Sequence, residues 1–237
     1  MYRHFAPVYD IFMDRVPYAK WADFIGKKLE SHNVPPGGLV LDLACGTGTM
    51  ARLMAQKGYD IIGVDSSEDM LSVAYSKTQN ILFLHQDILE LDLYGTVNAA
   101  YSTCDALNYM LTDDDFTKAL ANVSLFLENS VFVFDLKTDY KYRQMGGNSF
   151  SDTKGDASYL WKNSYDTKTC LNEYRVQFFA DGRTFSETHR QRAYSSEAVV
   201  NLARRAGLKI VSAQDNYTDT PAHGYSERIT YTASKIT

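Results

Sequence analysis

Three aspartates fall where a sheet could present them to a nucleoside. Asp42 lies in the apolar run Leu39-Val-Leu-Asp-Leu43, and Ala44-Cys-Gly-Thr-Gly48 follows at once. Gly46 and Gly48 let the backbone turn tightly and lie against a ligand. A carboxylate beside such a turn suits a cation, such as an amino group. Nineteen residues after Gly46, Asp65 ends a second apolar run, Ile61-Ile-Gly-Val-Asp65. At that distance, on the neighbouring strand, a carboxylate is placed to grasp ribose hydroxyls. Asp87 closes Phe83-Leu-His-Gln-Asp87 and, with Ile88, offers an acid and an apolar contact to an adenine amino group and ring. Each alone could merely cap a loop; all three in order beside a glycine turn point to a nucleoside site. The spacing is not the dinucleotide fingerprint, which needs a third glycine where the chain has Ala51. That disfavours an NAD-linked dehydrogenase.

Such placement requires a parallel sheet. Strands are expected at 40–43, 60–65, 81–85, 99–103 and 131–135, alternating with helices at 50–57, 67–77 and 113–128. Ser66 or Ser67 caps the second of these helices, and Glu68 and Asp69 complement its dipole. Alternating strands and helices give an α/β fold covered on both faces, with ligands bound beyond the carboxyl ends of the strands. Upstream, Trp21, Phe24, Ile25 and Leu29 form one helical stripe, and Pro35-Pro-Gly-Gly38 ends that segment. Downstream, 158–165, 171–180 and 184–194 read as three strands of an antiparallel β meander. A capped amphipathic helix from Ser195 to Gly207 and strands at 208–217 and 228–233 close the chain. The expected organisation is a helical cap at 1–38, a Rossmann-like domain at 39–137 and 195–237, and an inserted lid at 138–194.

With 237 residues, 45% of them hydrophobic and 22% charged, the composition is that of an ordinary globular protein. No apolar run approaches the roughly 20 residues that span a bilayer, and no signal-peptide pattern opens the chain, so a cytoplasmic setting without membrane contact is expected. A net charge of −5 argues against duplex nucleic acid as the main partner. Cys45, Cys104 and Cys170 show no metal-ligand spacing, and no metal is expected.

The segments Asp42-Leu-Ala-Cys-Gly-Thr-Gly48, Val64-Asp-Ser-Ser-Glu-Asp-Met-Leu71 and Gln86-Asp-Ile88 resemble the cofactor motifs of class I S-adenosylmethionine-dependent methyltransferases. The resemblance spans about 39–136 and 196–235 and implies a seven-stranded sheet and S-adenosyl-L-methionine as methyl donor. Ala44 stands where many members carry the first glycine of the loop. The segments Phe5-Ala-x-x-Tyr-Asp10, Tyr18-x-x-Trp21 and His189-x-x-Arg-Ala-Tyr194 are similar to those of a bacterial subgroup acting on small molecules. By that resemblance Gly46 contacts the methionine moiety and Asp65 the ribose, Ser66 and Met70 flank the nucleoside, and Asp87 and Ile88 frame the adenine. Tyr9, Tyr18 and Trp21 lie over the cofactor, although Trp21 serves equally as core packing. Asp42, Ala44, Cys45 and Cys104 complete the expected cofactor set.

Transfer from an activated sulfonium is an in-line displacement that asks for alignment and a deprotonated nucleophile. His189 is the candidate general base, since an imidazole near its ordinary pKa of about 6.5 can remove a proton from an amine or hydroxyl. With Glu187 and Gln191 it forms one polar face of an alternating strand, whose bland alternative is a solvent-facing surface. Asp105, Asn108 and Tyr109, after the fourth strand, could orient an acceptor or cap a loop; His223 is a weaker candidate. An Asp/Asn-Pro-Pro-aromatic tetrapeptide, frequent in enzymes that methylate exocyclic base amines, is missing. The expectation is therefore methyl transfer to nitrogen or oxygen of a small or medium-sized acceptor. RNA or protein methylation and a non-catalytic nucleoside-binding module are the alternatives, and the oligomeric state, homodimer included, stays open.

Overall fold

The structure, a computed structural model, describes residues 6–180 and 182–236. Five parallel strands form its centre: β1 (Leu39–Leu43), β2 (Asp60–Asp65), β3 (Leu82–His85), β4 (Val97–Ser102) and β5 (Leu127–Lys137). Late in the chain β10 (Leu208–Asp215) and β11 (Arg228–Lys235) add antiparallel, giving the order β10-β11-β5-β4-β1-β2-β3. Successive side chains point to opposite faces. Val131 and Val133 join the core beneath α2 (Tyr18–Ser31), α3 (Thr49–Gln56) and α4 (Glu68–Lys77). Phe132 and Phe134 join the other, beneath α5 (Asp113–Phe126) and α7 (Ser196–Arg205). The sheet is covered on both faces, which is why its strands are nearly continuously apolar.

The helix starts are chemically specified. Ser67 Oγ accepts the Met70 amide at 3.3 Å, and Ser195 Oγ accepts the Ala198 amide at 3.1 Å. α5 stops at Phe126, two residues earlier than its pattern suggests, because Leu127 is fully buried and pairs with Val97 in the sheet.

Between β5 and α7 the chain builds α6 (Asp139–Met145) and a second antiparallel sheet of β6 (Ser149–Lys154), β7 (Ala157–Asp166), β8 (Leu171–Ala180) and β9 (Arg183–Arg192). Three strands were expected here, and the structure has four. The polar stretch Ser-Phe-Ser-Asp-Thr-Lys carries no alternating signal, yet it folds back on β7 through a turn with Gly155 at φ 58°.

The N-terminal helix α1 (Ala6–Phe12) bridges the two sheets; Phe5, which opens the motif noted above, lies outside the described residues. Asp10 accepts from Thr47 Oγ1 at 2.6 Å and pairs with Lys77 of α4, which ties α1 to the glycine turn. Lys154 of β6 donates to the Ile11 carbonyl at 3.0 Å and pairs with Asp14. No helix among the described residues is long and apolar enough to cross a membrane.

Candidate active site

The turn after β1 places Ala44, Gly46 and Gly48 at φ 60°, 53° and 73°, all in the left-handed region. For alanine this costs on the order of 1–2 kcal/mol. At Gly48 the reason for glycine is packing, since a Cβ would stand 3.0 Å from Phe83 Cζ and 3.1 Å from Ala74 Cβ. At Gly46 a Cβ would meet nothing within 4 Å among the described residues, where that side borders a cavity of about 540 Å³. This volume lies within the range of about 300–1,000 Å³ usual for small-molecule sites.

Asp65 organises the cavity. Its Oδ2 accepts the Gly46 amide and its Oδ1 the Ser67 amide, each at 2.8 Å, so one carboxylate joins the glycine turn to the start of α4. Burial pushes its pKa up, opposed by those two amides. Asp87 uses Oδ1 to accept the Leu89 amide at 2.8 Å and borders the cavity beside Ile88. Tyr9, Ala44, Ser66, Met70 and Cys104 also line it, with Tyr109 and Met110 on the far side. Asp42 lies beneath, 1% exposed, and does not border the cavity. Among the described residues its Oδ2 has no hydrogen-bond partner, and burial pushes its pKa up to about 7. Cys45 is buried too, its Sγ 3.0 Å from where a Gly63 Cβ would stand.

A second chamber of about 280 Å³ opens beside the first. Tyr9 and Cys104 line both. Its walls are aromatic: Phe12 and Trp21 from the N-terminal helices face Tyr159, Trp161, Tyr174 and Phe178 of the second sheet. Trp161 packs on Tyr174 with centroids 4.5 Å apart. Trp21 borders this chamber rather than the larger cavity and also stacks on Tyr217 at 4.5 Å, so wall and core packing coincide in one side chain. Tyr18 borders neither; its hydroxyl meets Cys104 Sγ at 3.7 Å.

The floor of the chamber is a buried ion network. Arg228 bridges Asp105 at 2.8 Å and Asp135 at 2.6 Å, while Lys137 Nζ lies 3.0 Å from Asp105 and Gln191 Nε2 donates to it at 2.7 Å. Asp135 also accepts the amides of Cys104 at 3.1 Å and Asp105 at 2.6 Å, and the Tyr217 hydroxyl. These contacts hold two consecutive residues left-handed, Cys104 at φ 60° and Asp105 at φ 54°. Burial alone would raise the Asp105 pKa, but Lys137 and Arg228 outweigh it and hold the carboxyl below its ordinary value. For Asp135 burial wins and the shift is upward. Burial, with Asp135 adding, pushes the Cys104 thiol up to about 12. Asp105, expected as a catalytic group, thus has its carboxylate committed to two cations and a glutamine.

His189 is 1% exposed and borders the aromatic chamber, so the polar face of β9 points inward and the solvent-facing alternative does not hold. Its Nδ1 lies 3.1 Å from Tyr109 Oη and its Nε2 3.2 Å from Glu187 Oε2; Tyr174 stacks on the ring at 4.8 Å. Tyr109 and Tyr174 hydroxyls are 2.6 Å apart. Asn108 is wholly structural, bonded to the Lys137 and Arg192 backbones. His223 borders neither cavity and sits 3.7 Å from Asp215. Residues that the sequence reading missed are Asp135, Lys137 and Arg228; Glu187 was placed on the face of His189 without a role of its own. Asp135 had a signal, an acid ending an apolar strand as Asp65 does; Arg228 had none.

Sheet order, glycine turn and acidic strand ends together define a Rossmann-like methyltransferase framework. A family model described as "Methyltransferase domain" matches residues 40–130. A putative methyltransferase, YqeM of Bacillus subtilis (strain 168), is 34% identical, with 99% of this chain and 97% of its own length aligned. The crystal structure of an S-adenosylmethionine-dependent methyltransferase from Clostridium acetobutylicum ATCC 824 is 31% identical with a TM-score of 0.88, covering 100% of this chain and 99% of that one. The sugar N-methyltransferase KedS8 from Streptoalloteichus sp ATCC 53650 shares the fold, with a TM-score of 0.81 at 18% identity over 97% of this chain and 93% of its own. The chain belongs to the class I S-adenosylmethionine-dependent methyltransferases.

Proposed function

We propose that this enzyme transfers the methyl group of S-adenosyl-L-methionine to a nitrogen or oxygen of a small acceptor held in the aromatic chamber. The observation that carries this reading is the pair of adjoining cavities sharing Tyr9 and Cys104, one beside the glycine turn and one closed by the second sheet. The residues fit the donor: Gly46 leaves open space that a side chain would fill, and Asp65 and Asp87 border the same cavity beyond successive strands. Asp65 would take the ribose hydroxyls, Asp87 and Ile88 the adenine, and the Gly46 backbone the amino-acid end. When bound, the sulfonium supplies a methyl group already activated for displacement. The chain supplies alignment across the shared wall and a water-poor chamber in which His189 takes up the acceptor's proton. A chamber of about 280 Å³ suits a small molecule rather than a nucleic-acid strand or a folded protein. A sugar, the acceptor named for the sugar N-methyltransferase KedS8, is of suitable size.

The test is incubation with methyl-labelled donor and fractionated metabolites, read by mass spectrometry, beside calorimetric titration with the donor alone. Label in a low-mass fraction is expected. Donor binding without label in any fraction would leave a non-catalytic binding module, and label confined to nuclease-sensitive material would indicate RNA.

A further inference from the structure

We propose that Glu187 is a positioning residue for methyl transfer: it fixes which nitrogen of His189 carries the proton and supplies the counter-charge when that imidazole takes up the proton the acceptor releases. The inference rests on the methyl-transfer reading above.

Glu187 and His189 stand two residues apart on β9, on the same inward face, and Glu187 borders neither cavity. Its side chain is 11% exposed and Oε2 lies 3.2 Å from His189 Nε2. An ionised carboxylate can only accept, so this contact favours the neutral ring that carries its proton on Nε2. Nδ1 then offers its lone pair to the Tyr109 hydroxyl at 3.1 Å, and Tyr109 Oη in turn accepts from the Tyr174 hydroxyl at 2.6 Å. Tyr109 borders the donor cavity and His189 the acceptor chamber, so the bond between them passes through the wall separating the two. That wall is where a nucleophile aligned on the methyl group must sit.

The proton balance follows. As the acceptor nitrogen or oxygen bonds to the methyl carbon, the carbon–sulfur bond of the donor would break with its electron pair leaving on sulfur as a neutral thioether, and the acceptor's N–H or O–H bond breaks with its electron pair staying on the acceptor atom. The proton passes to Tyr109 Oη while the Tyr109 proton moves to His189 Nδ1. The product is an imidazolium with N–H groups on both sides, one of them on Glu187. A charged ring buried to this degree is costly without an opposite charge in contact. The other ionisable groups on the chamber, among the described residues, are Tyr9, Cys104, Tyr159, Tyr174, Asp105, Lys137 and Arg228, and Asp105 is taken up by the two cations.

The test combines a readout of the ring with one of the reaction. In protein carrying 15N-histidine, with His189→Gln assigning the resonance among the five histidines, His189 is expected as the Nε2–H form. Glu187→Gln keeps shape and an accepting oxygen but removes the charge, and should lower the titration midpoint of His189 by about one unit or more. Thermal unfolding and calorimetric affinity for S-adenosylmethionine in this variant should stay near native, within about twofold for the affinity. Label transfer to fractionated metabolites, followed against pH, should show the acid limb of the variant displaced downward with the midpoint. An unmoved midpoint overturns the proposal. So does a slower variant whose acid limb stays at the native pH, since Glu187 would then act through packing alone. If the native chain transfers no label while the ring titrates as expected, it is the methyl-transfer reading that fails.

Discussion

Arg228→Met tests whether the buried quartet of Asp105, Asp135, Lys137 and Arg228 holds the chamber floor. Arg228 joins two carboxylates at 2.8 and 2.6 Å, and the Asp105 amide already donates to Asp135 at 2.6 Å, so removing the guanidinium leaves two neighbouring acids with Lys137 as their one cation in the quartet. Breaking a buried pair by removing one partner costs about 3–5 kcal/mol. At about 2–4 °C per kcal/mol for a chain of this size, melting should fall by roughly 6–20 °C. The pH dependence supplies a second signature. In the native chain Asp105 is held low, so its contribution is present above the unfolded carboxylate pKa of about 3.9 and is lost as pH falls through the still lower folded value. Without Arg228 both carboxyls rise, and the folded state then binds protons that the unfolded chain releases. The deficit should therefore be largest near pH 7 and shrink toward pH 4.5. Urea unfolding followed by circular dichroism at both pH values measures it, with Arg228→Lys expected to recover part of the loss. A deficit under about 1 kcal/mol at pH 7, the worth of a surface pair, would refute the reasoning.

Three further outcomes are expected. Asp42→Asn should stabilise the ligand-free chain at neutral pH, because burial raises the Asp42 pKa to about 7 and native stability is therefore lost as pH rises from about 4 to 7, by up to roughly 4 kcal/mol; urea titrations should show a gain of about 1–2 kcal/mol at pH 5 and the full gain at pH 8. Gly48→Ala should cost about 2–5 kcal/mol of stability, from left-handed backbone and contact with Phe83, whereas Gly46→Ala should cost about 1–2 kcal/mol but weaken donor binding, since its methyl enters the cavity; melting curves and calorimetry separate the two. Asp65→Ala frees the Gly46 and Ser67 amides and should weaken S-adenosylmethionine at least about tenfold, at roughly 1.5–3 kcal/mol per bond to a charged group.

The cavity beside the glycine turn was largely legible because its information is local. A glycine turn and acids at strand ends are read within a few residues, and Ala44, Gly46, Asp65, Asp87 and Ile88 all line one cavity. The aromatic chamber was not, because its contacts join distant segments: Arg228 meets Asp105 across 123 positions, and Gln191 meets Asp105 across 86. Period-two alternation in β9 did reveal that Glu187, His189 and Gln191 share a face, but alternation cannot say which face is buried when both are polar. Polarity likewise hid β6, whose pairing depends on β7 lying alongside.

The β5–β11 register explains why Asp105 adopts a backbone conformation that aspartate tolerates only at a cost. Antiparallel pairing sets Lys137 directly opposite Arg228, and like charges in that relation repel. The conflict arises where a strand returning from the end of the chain meets the strand that leads into the second sheet. Asp105, set at φ 54° by amide bonds to Asp135, reaches both cations and makes the quartet neutral. Gln191 then attaches β9 to the same carboxylate, so the second sheet is registered on a charge pair belonging to the first. The strained corner at Cys104–Asp105 is also where the two cavities meet. The walls of the aromatic chamber along β7 to β9 are thus joined through Gln191 to a corner fixed by four charges and one backbone turn.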